Sequence, residues 1–121
     1  MRNLLAELGY SQTEIDNRIK EVWNTVFDQS SKEKFYHQQT SDLGCMEDTG
    51  NIDARTEGMS YGMMMAVQMN RKDIFDSIWH WSKKYMFMTD GKMKGYFAWS
   101  CTLEGKHNAE GPAPDGEEFY A

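Results

Sequence analysis

Ile15, Ile19, Val22, Trp23, Val26 and Phe27 follow one another at steps of four, three, one, three and one. That spacing sets all six on one side of an α-helix and commits this stretch to a helix seeking a partner. Ser11-Gln12-Thr13-Glu14 stands just before it and reads as a capping box, the serine oxygen and the glutamate each covering an exposed backbone N–H. Leu4, Leu5 and Leu8 predict a shorter helix stopped by Gly9. A further helix is expected from Thr56 or Glu57 to about Met69, and another over Lys72–Met86 with Ile74, Phe75, Ile78, Trp79, Trp81 and Tyr85 as its buried candidates. The only two prolines are Pro112 and Pro114, and Pro114-Asp115-Gly116-Glu117-Glu118 has the proline and acidic residues of a helix's first turn, running to Ala121. The chain therefore reads as all-α.

Between these helices the pattern loosens. Asp28 to Lys34 is polar and connects. Phe35-Tyr36-His37 and Leu43-Gly44-Cys45-Met46 are short runs around polar Gln38 to Asp42, which predicts a small hairpin or ordered loop. Asp48-Thr49-Gly50-Asn51 is a turn, Tyr96-Phe97-Ala98-Trp99 is extended, and Gly105 to Pro114 is loop. With 19 acidic against 13 basic residues the net charge of −6 argues against a nucleic-acid partner. The first ten residues hold charged and polar groups and do not form a signal peptide, and no run is apolar for the length of a membrane span; a cytoplasmic protein without a membrane partner is expected. Cys45 and Cys101 are far apart without a CxxC, so no zinc cluster, disulfide framework or other cofactor is expected.

Several motifs fail on their context. Gly58-Met59-Ser60-Tyr61-Gly62 matches the nucleophile elbow of serine hydrolases, but Asn51 to Glu57 before it is no buried strand. The two glycines are better read as points of close helix packing. Asp48 to Asp53 lacks the oxygen donor and glycine that a calcium loop needs at its third and sixth positions. Met63, Met64 and Met65 point three ways on a helix and cannot converge on one ion, which makes them flexible core filler. His37, His80 and His107 show no ligand spacing and are surface or packing residues. No metal site is expected.

Glu57 and Asp115 each stand at the start of a predicted helix, where a lone carboxylate is ordinarily a cap or dipole partner. Burial beside an apolar helix would raise the pKa of Glu57 and suit it to general-acid work, while the helix's positive end opposes that. Tyr61, Tyr96 and Trp99 are residue types that stack on sugar rings, having an apolar face and a polar edge. Two carboxylates at helix mouths with such aromatics describe a carbohydrate cleft.

Thr56-Glu57-Gly58-Met59-Ser60-Tyr61-Gly62-Met63, with Asp48-Thr49-Gly50-Asn51, Arg71-Lys72-Asp73-Ile74-Phe75-Asp76, Tyr96-Phe97-Ala98-Trp99-Ser100 and Pro112-Ala113-Pro114-Asp115-Gly116-Glu117-Glu118, resembles glycoside hydrolase family 8. The likeness is greatest to the reducing-end xylose-releasing exo-oligoxylanases of that family and runs from about Tyr10 to the last residue. It implies an (α/α)6 barrel with short β-hairpin and loop insertions, of which residues 1–121 would be the N-terminal part of a single catalytic domain. It implies hydrolysis of β-1,4-xylosidic bonds in xylo-oligosaccharides, with inversion and release of xylose from the reducing end. The general acid falls on Glu57, the sugar-distorting aspartate on Asp115 and the cleft-lining tryptophan on Trp99. Asp53 would line the cleft.

The family's general base is an aspartate beyond residue 121, so the resemblance implies half an active site, inactive or nearly so without the rest of the barrel. The alternatives are a non-catalytic carbohydrate-binding remnant, an endo-acting xylanase or glucanase of the same family, and a serine hydrolase using Ser60. An unfinished barrel is also expected to leave an apolar helix face exposed and to self-associate.

Overall fold

The computed structural model describes residues 3–120, Phe119 by its backbone alone. Ala121, where the last expected helix runs out, lies outside the described residues. The helices expected from the sequence form with nearly the expected bounds, within two compact units, residues 1–34 and 35–121.

In the first unit, α1 (Leu4–Glu7) is capped by the Asn3 side chain, and α2 (Gln12–Phe27) opens on the complete Ser11–Glu14 capping box. Reciprocal satisfaction of those N–H groups fixes where α2 begins. Its apolar stripe is only partly covered. Ile15 and Phe27 are buried and Trp23 stacks on Phe27 with centroids 3.9 Å apart, whereas Ile19 and Val22 are exposed.

The second unit begins with an antiparallel hairpin, β1 (Tyr36–Gln38) against β2 (Gly44–Met46), with His37 facing Cys45. It settles the sequence's choice between hairpin and loop. Helix α3 (Thr56–Gln68) and helix α4 (Lys72–Tyr85) pack on each other and on β2. Their shared core holds Met46, Met59, Met63, Ala66, Ile74, Ile78 and Trp81. Of the expected α4 core residues, Ile74, Ile78 and Trp81 are buried, while Phe75, Trp79 and Tyr85 are half-buried. Burying side chains of this size contributes about 1.5–3 kcal/mol each. Polar ends are satisfied as they enter the core: Trp81 Nε1 donates to Gln39 Oε1 at 2.9 Å, and Gln38 Nε2 to Ser77 Oγ at 2.8 Å, tying hairpin to helix. Arg71 forks onto Asp73 in the first turn of α4, and Lys83 and Lys84 occupy its last turn, the charge order its dipole favours.

Gly62 meets the packing expectation, since a Cβ there would lie 2.6 Å from Met46 Cγ. Gly58 does not: its nearest neighbour would be Met46 Cβ at an ordinary 3.9 Å. Met63 is buried as core filler, but Met64 is exposed, together with Tyr61 and Val67 on the same helix. The helix turns 100° per residue, so three consecutive methionines cannot all face inward.

A second, two-residue pairing escaped the sequence. β3 (Ala54–Arg55) runs antiparallel to β4 (Ser100–Cys101), with Arg55 opposite Ser100. It joins the start of α3 to the segment after Trp99. Helix α5 (Pro114–Tyr120) closes the unit by packing on α3.

Candidate active site

The β3–β4 pairing delivers the chain into α3, so Arg55 ends a strand and Thr56 begins the helix. The Thr56 N–H donates to the Trp99 carbonyl at 3.0 Å, and the Trp99 N–H donates to the Gly111 carbonyl at 3.0 Å. Glu57 is thus held one residue from a backbone bond to the segment that carries Trp99. Its side chain is partly buried, and Oε2 accepts from Thr56 Oγ1 at 3.2 Å.

Around this entrance lies a charged cluster. Arg55 Nε stands 3.0 Å from Asp53 Oδ1 and 3.0 Å from Asp48 Oδ2, and its guanidinium lies over the Trp99 ring, 5.2 Å from the centroid. The Asp53 hydrogen bond chiefly raises the pKa of Arg55, against its burial, with the charges of Asp53, Asp48 and Glu57 adding to it. Asp53 is buried, and its other oxygen accepts from Ser100 Oγ at 2.8 Å; Ser100 Oγ in turn accepts from Asn108 Nδ2 at 3.0 Å. Both Asp53 oxygens therefore have partners, which is what lets a carboxylate be buried. The Asp48 carboxylate caps its own turn, taking the Gly50 N–H at 2.8 Å, and that bond more than any other holds its pKa below the usual value.

Asp115 stands at the start of α5, exposed, its Oδ1 accepting the Gly116 N–H at 3.0 Å. Gly116 packs directly on Thr56, so α5 starts beside the start of α3. Glu117 points back, its Oε1 accepting the Phe97 N–H at 2.7 Å, and Tyr120 stacks on Phe97 with centroids 4.4 Å apart. Burial raises the phenol pKa of Tyr120, whose hydroxyl is 2.8 Å from Ser82 Oγ.

The starts of α3 and α5 thus bring together Glu57, Asp53, Trp99 and the segment of Asp115. Tyr61 follows Glu57 by one helical turn and is exposed. Tyr96 is exposed in a separate turn, where its carbonyl accepts from Met88 and its N–H donates to Met93; no described contact joins it to Glu57. Sequence reasoning gave Arg55, Ser100 and Asn108 no role of their own and read Glu117 only as an acidic residue of a helix's first turn. The alternation of Asp53, Arg55 and Glu57 was the available signal for a charged edge.

The competing motifs resolve on geometry. Ser60 is buried and donates to the Glu57 carbonyl at 2.7 Å within its own helix, so it is no exposed nucleophile. Among the described residues no group of three or more His, Cys, Asp or Glu side chains is placed to hold a metal ion. His37 Nε2 lies 2.5 Å from Glu47 Oε2, His107 Nε2 lies 2.7 Å from the Tyr85 carbonyl, and His80 is exposed. Among the described residues no helix is long and apolar enough to cross a membrane.

The chain is 58% identical over 120 residues to the reducing end xylose-releasing exo-oligoxylanase of Halalkalibacterium halodurans, covering 99% of this chain and 31% of that protein. It is 48% identical to the enzyme of the same name from Bifidobacterium adolescentis, covering 98% and 31%. A crystal structure of a mutant reducing-end-xylose releasing exo-oligoxylanase complexed with xylobiose superposes with a TM-score of 0.95 at 57% identity, covering 98% of this chain and 32% of that one. The chain thus spans about a third of the length of the relatives it matches. The sequence model of glycosyl hydrolases family 8 matches residues 13–121, and the chain belongs to that family.

Proposed function

We propose that this chain carries the general-acid side of an enzyme that hydrolyses β-1,4-xylosidic bonds in xylo-oligosaccharides, releasing xylose from the reducing end with inversion. The observation that carries the reading is 58% identity over 99% of the chain to a protein of that activity. A 27% match to Endoglucanase 2 of Ruminiclostridium josui is much weaker, which favours the exo-acting reading over an endo-acting one. In this proposal residues 1–121 are the N-terminal part of one catalytic domain, an (α/α)6 barrel in which the starts of α3 and α5 face the sugar.

Glu57 is then the general acid, protonating the leaving oxygen. Asp115 holds the sugar at the cleavage point, and Trp99, Tyr61 and Tyr96 offer aromatic surface to sugar rings. Asp53 lines the cleft indirectly, its oxygens being taken by Arg55 and Ser100. Inversion needs a water on the opposite face, activated by a base roughly 6.5–9.5 Å from the acid. We assign that base to no residue of this chain. The chain alone is therefore expected to bind xylo-oligosaccharide and to turn it over very slowly or not at all.

The test is incubation with xylotriose, following xylose by chromatography, alongside calorimetric titration with xylobiose. Xylose release that disappears in Glu57→Gln establishes the acid. Binding without release by the chain alone fits the proposal, whereas binding without release by a longer polypeptide that also carries the rest of the barrel favours a non-catalytic carbohydrate-binding role. Absence of both sinks the proposal.

A further inference from the structure

Arg55 reaches both Asp48 and Asp53, the acidic pair before α3, and lies over the Trp99 ring. Its backbone is opposite Ser100, one residue after Trp99, and one residue before Thr56, whose N–H holds the Trp99 carbonyl. The backbone at Trp99 is thus fixed from both sides. The orientation of the indole is a separate matter, because a half-buried tryptophan retains rotamer choice about its own side-chain bonds.

We infer that Arg55 is a positioning residue that sets the Trp99 indole relative to Glu57, with Asp48 and Asp53 holding the guanidinium in place. Three observations carry this. The guanidinium lies over the ring at 5.2 Å, within reach of a cation–π attraction. Arg55 Nε is held between two carboxylates at 3.0 Å each, so the cation is oriented before any ligand arrives. Asp53 is itself fixed by Ser100, whose hydroxyl is fixed by Asn108, so the support leads back to the strand next to Trp99. A planar fork suits this role, since it engages carboxylates through its edge while presenting its face to a ring. The inference rests on the proposed sugar-binding role of Trp99 for its purpose, but not for its geometry.

Two readouts separate purpose from geometry. The first is the indole N–H resonance of Trp99 in the ligand-free chain. Trp81, buried and bonded to Gln39, supplies an internal control for the core. Arg55→Met keeps the apolar stem and removes the cation; it should shift and broaden the Trp99 signal and leave Trp81 unmoved. Arg55→Lys should restore part of the shift. Asp48→Asn, which removes the charge of a half-buried carboxylate but keeps its size, should move Trp99 in the same direction by less. Should Arg55→Met fail to fold, Asp48→Asn decides alone. An unmoved Trp99 signal, or equal movement of Trp81, overturns the inference. The second readout is xylobiose titration of the same samples, where Arg55→Met should weaken binding roughly two- to tenfold. If the unsubstituted chain does not bind xylobiose, the sugar-binding proposal fails while the indole comparison still tests Arg55.

Discussion

A methyl group on Gly116 would lie 2.6 Å from Thr56 Cβ, and closer still to the Thr56 hydroxyl. Thr56 is fully buried and β-branched, so its rotamer has little freedom to yield. Gly116→Ala must therefore push α5 away from α3 and carry Asp115 with it. Overpacking of this kind costs about 1–3 kcal/mol, and the midpoint of urea unfolding should fall accordingly. An unchanged midpoint would mean that α5 is not seated on Thr56.

Gly58 and Gly62, one turn apart on α3, should respond in opposite directions. Gly62→Ala places its methyl 2.6 Å from Met46 Cγ and 3.0 Å from Ile78 Cδ1, both inside the core, and should destabilise by about 1–3 kcal/mol. Gly58→Ala meets only Met46 Cβ at 3.9 Å and should stabilise by about 0.4–1 kcal/mol through the unfolded state. Thermal unfolding of the pair, monitored by circular dichroism, checks both signs.

Glu57→Gln keeps the size of the side chain while removing its acidic proton. Unfolding should be easier by no more than about 1 kcal/mol, the amount a first-turn carboxylate gains from the helix dipole. Xylose release by any polypeptide that includes this chain should fall by about 10² to 10⁴, the usual contribution of one acid–base group. A variant that keeps full activity would remove Glu57 from the chemistry.

Alkaline pH should weaken the fold. Burial raises the Cys45 and Cys101 thiols from the ordinary 9.0 to about 12. Between those values the unfolded chain has released protons that the folded chain retains, so stability present below pH 9.0 is lost as pH rises toward 12. Tyr36 and Tyr120, raised by the same cause, act in the same direction. The melting temperature should fall steadily above pH 9, and both thiols should resist a disulfide reagent at pH 8 until the chain is unfolded. Rapid labelling of the folded chain would contradict their burial.

The helices were legible because their signals are local. The Ser11–Glu14 box fixes one start, and the apolar spacing of Lys72–Tyr85 gives a helix whichever neighbour it meets. Ala54–Arg55 and Ser100–Cys101 were not legible, since two residues are too few to show alternation and each finds its partner far along the chain. The same distance hid the cluster around Arg55. Glu117 looked like a dipole residue of the first turn, but its carboxylate serves the Phe97 N–H of another segment. Glu57 and Asp115 were visible as helix-mouth carboxylates, and family likeness rather than pattern separated them from ordinary caps.

The β3–β4 pairing also imposes an order of assembly. Asp53 and Ser100 are 47 positions apart. α3 can wind from neighbouring contacts as soon as it is made, whereas its first residue waits for Trp99 and its strand for Ser100. A growing polypeptide can therefore sample the helix before the anchor at its mouth exists, because that anchor needs a contact between segments far apart in the chain. Glu57 takes its final bearing only once synthesis has passed the segment that holds it.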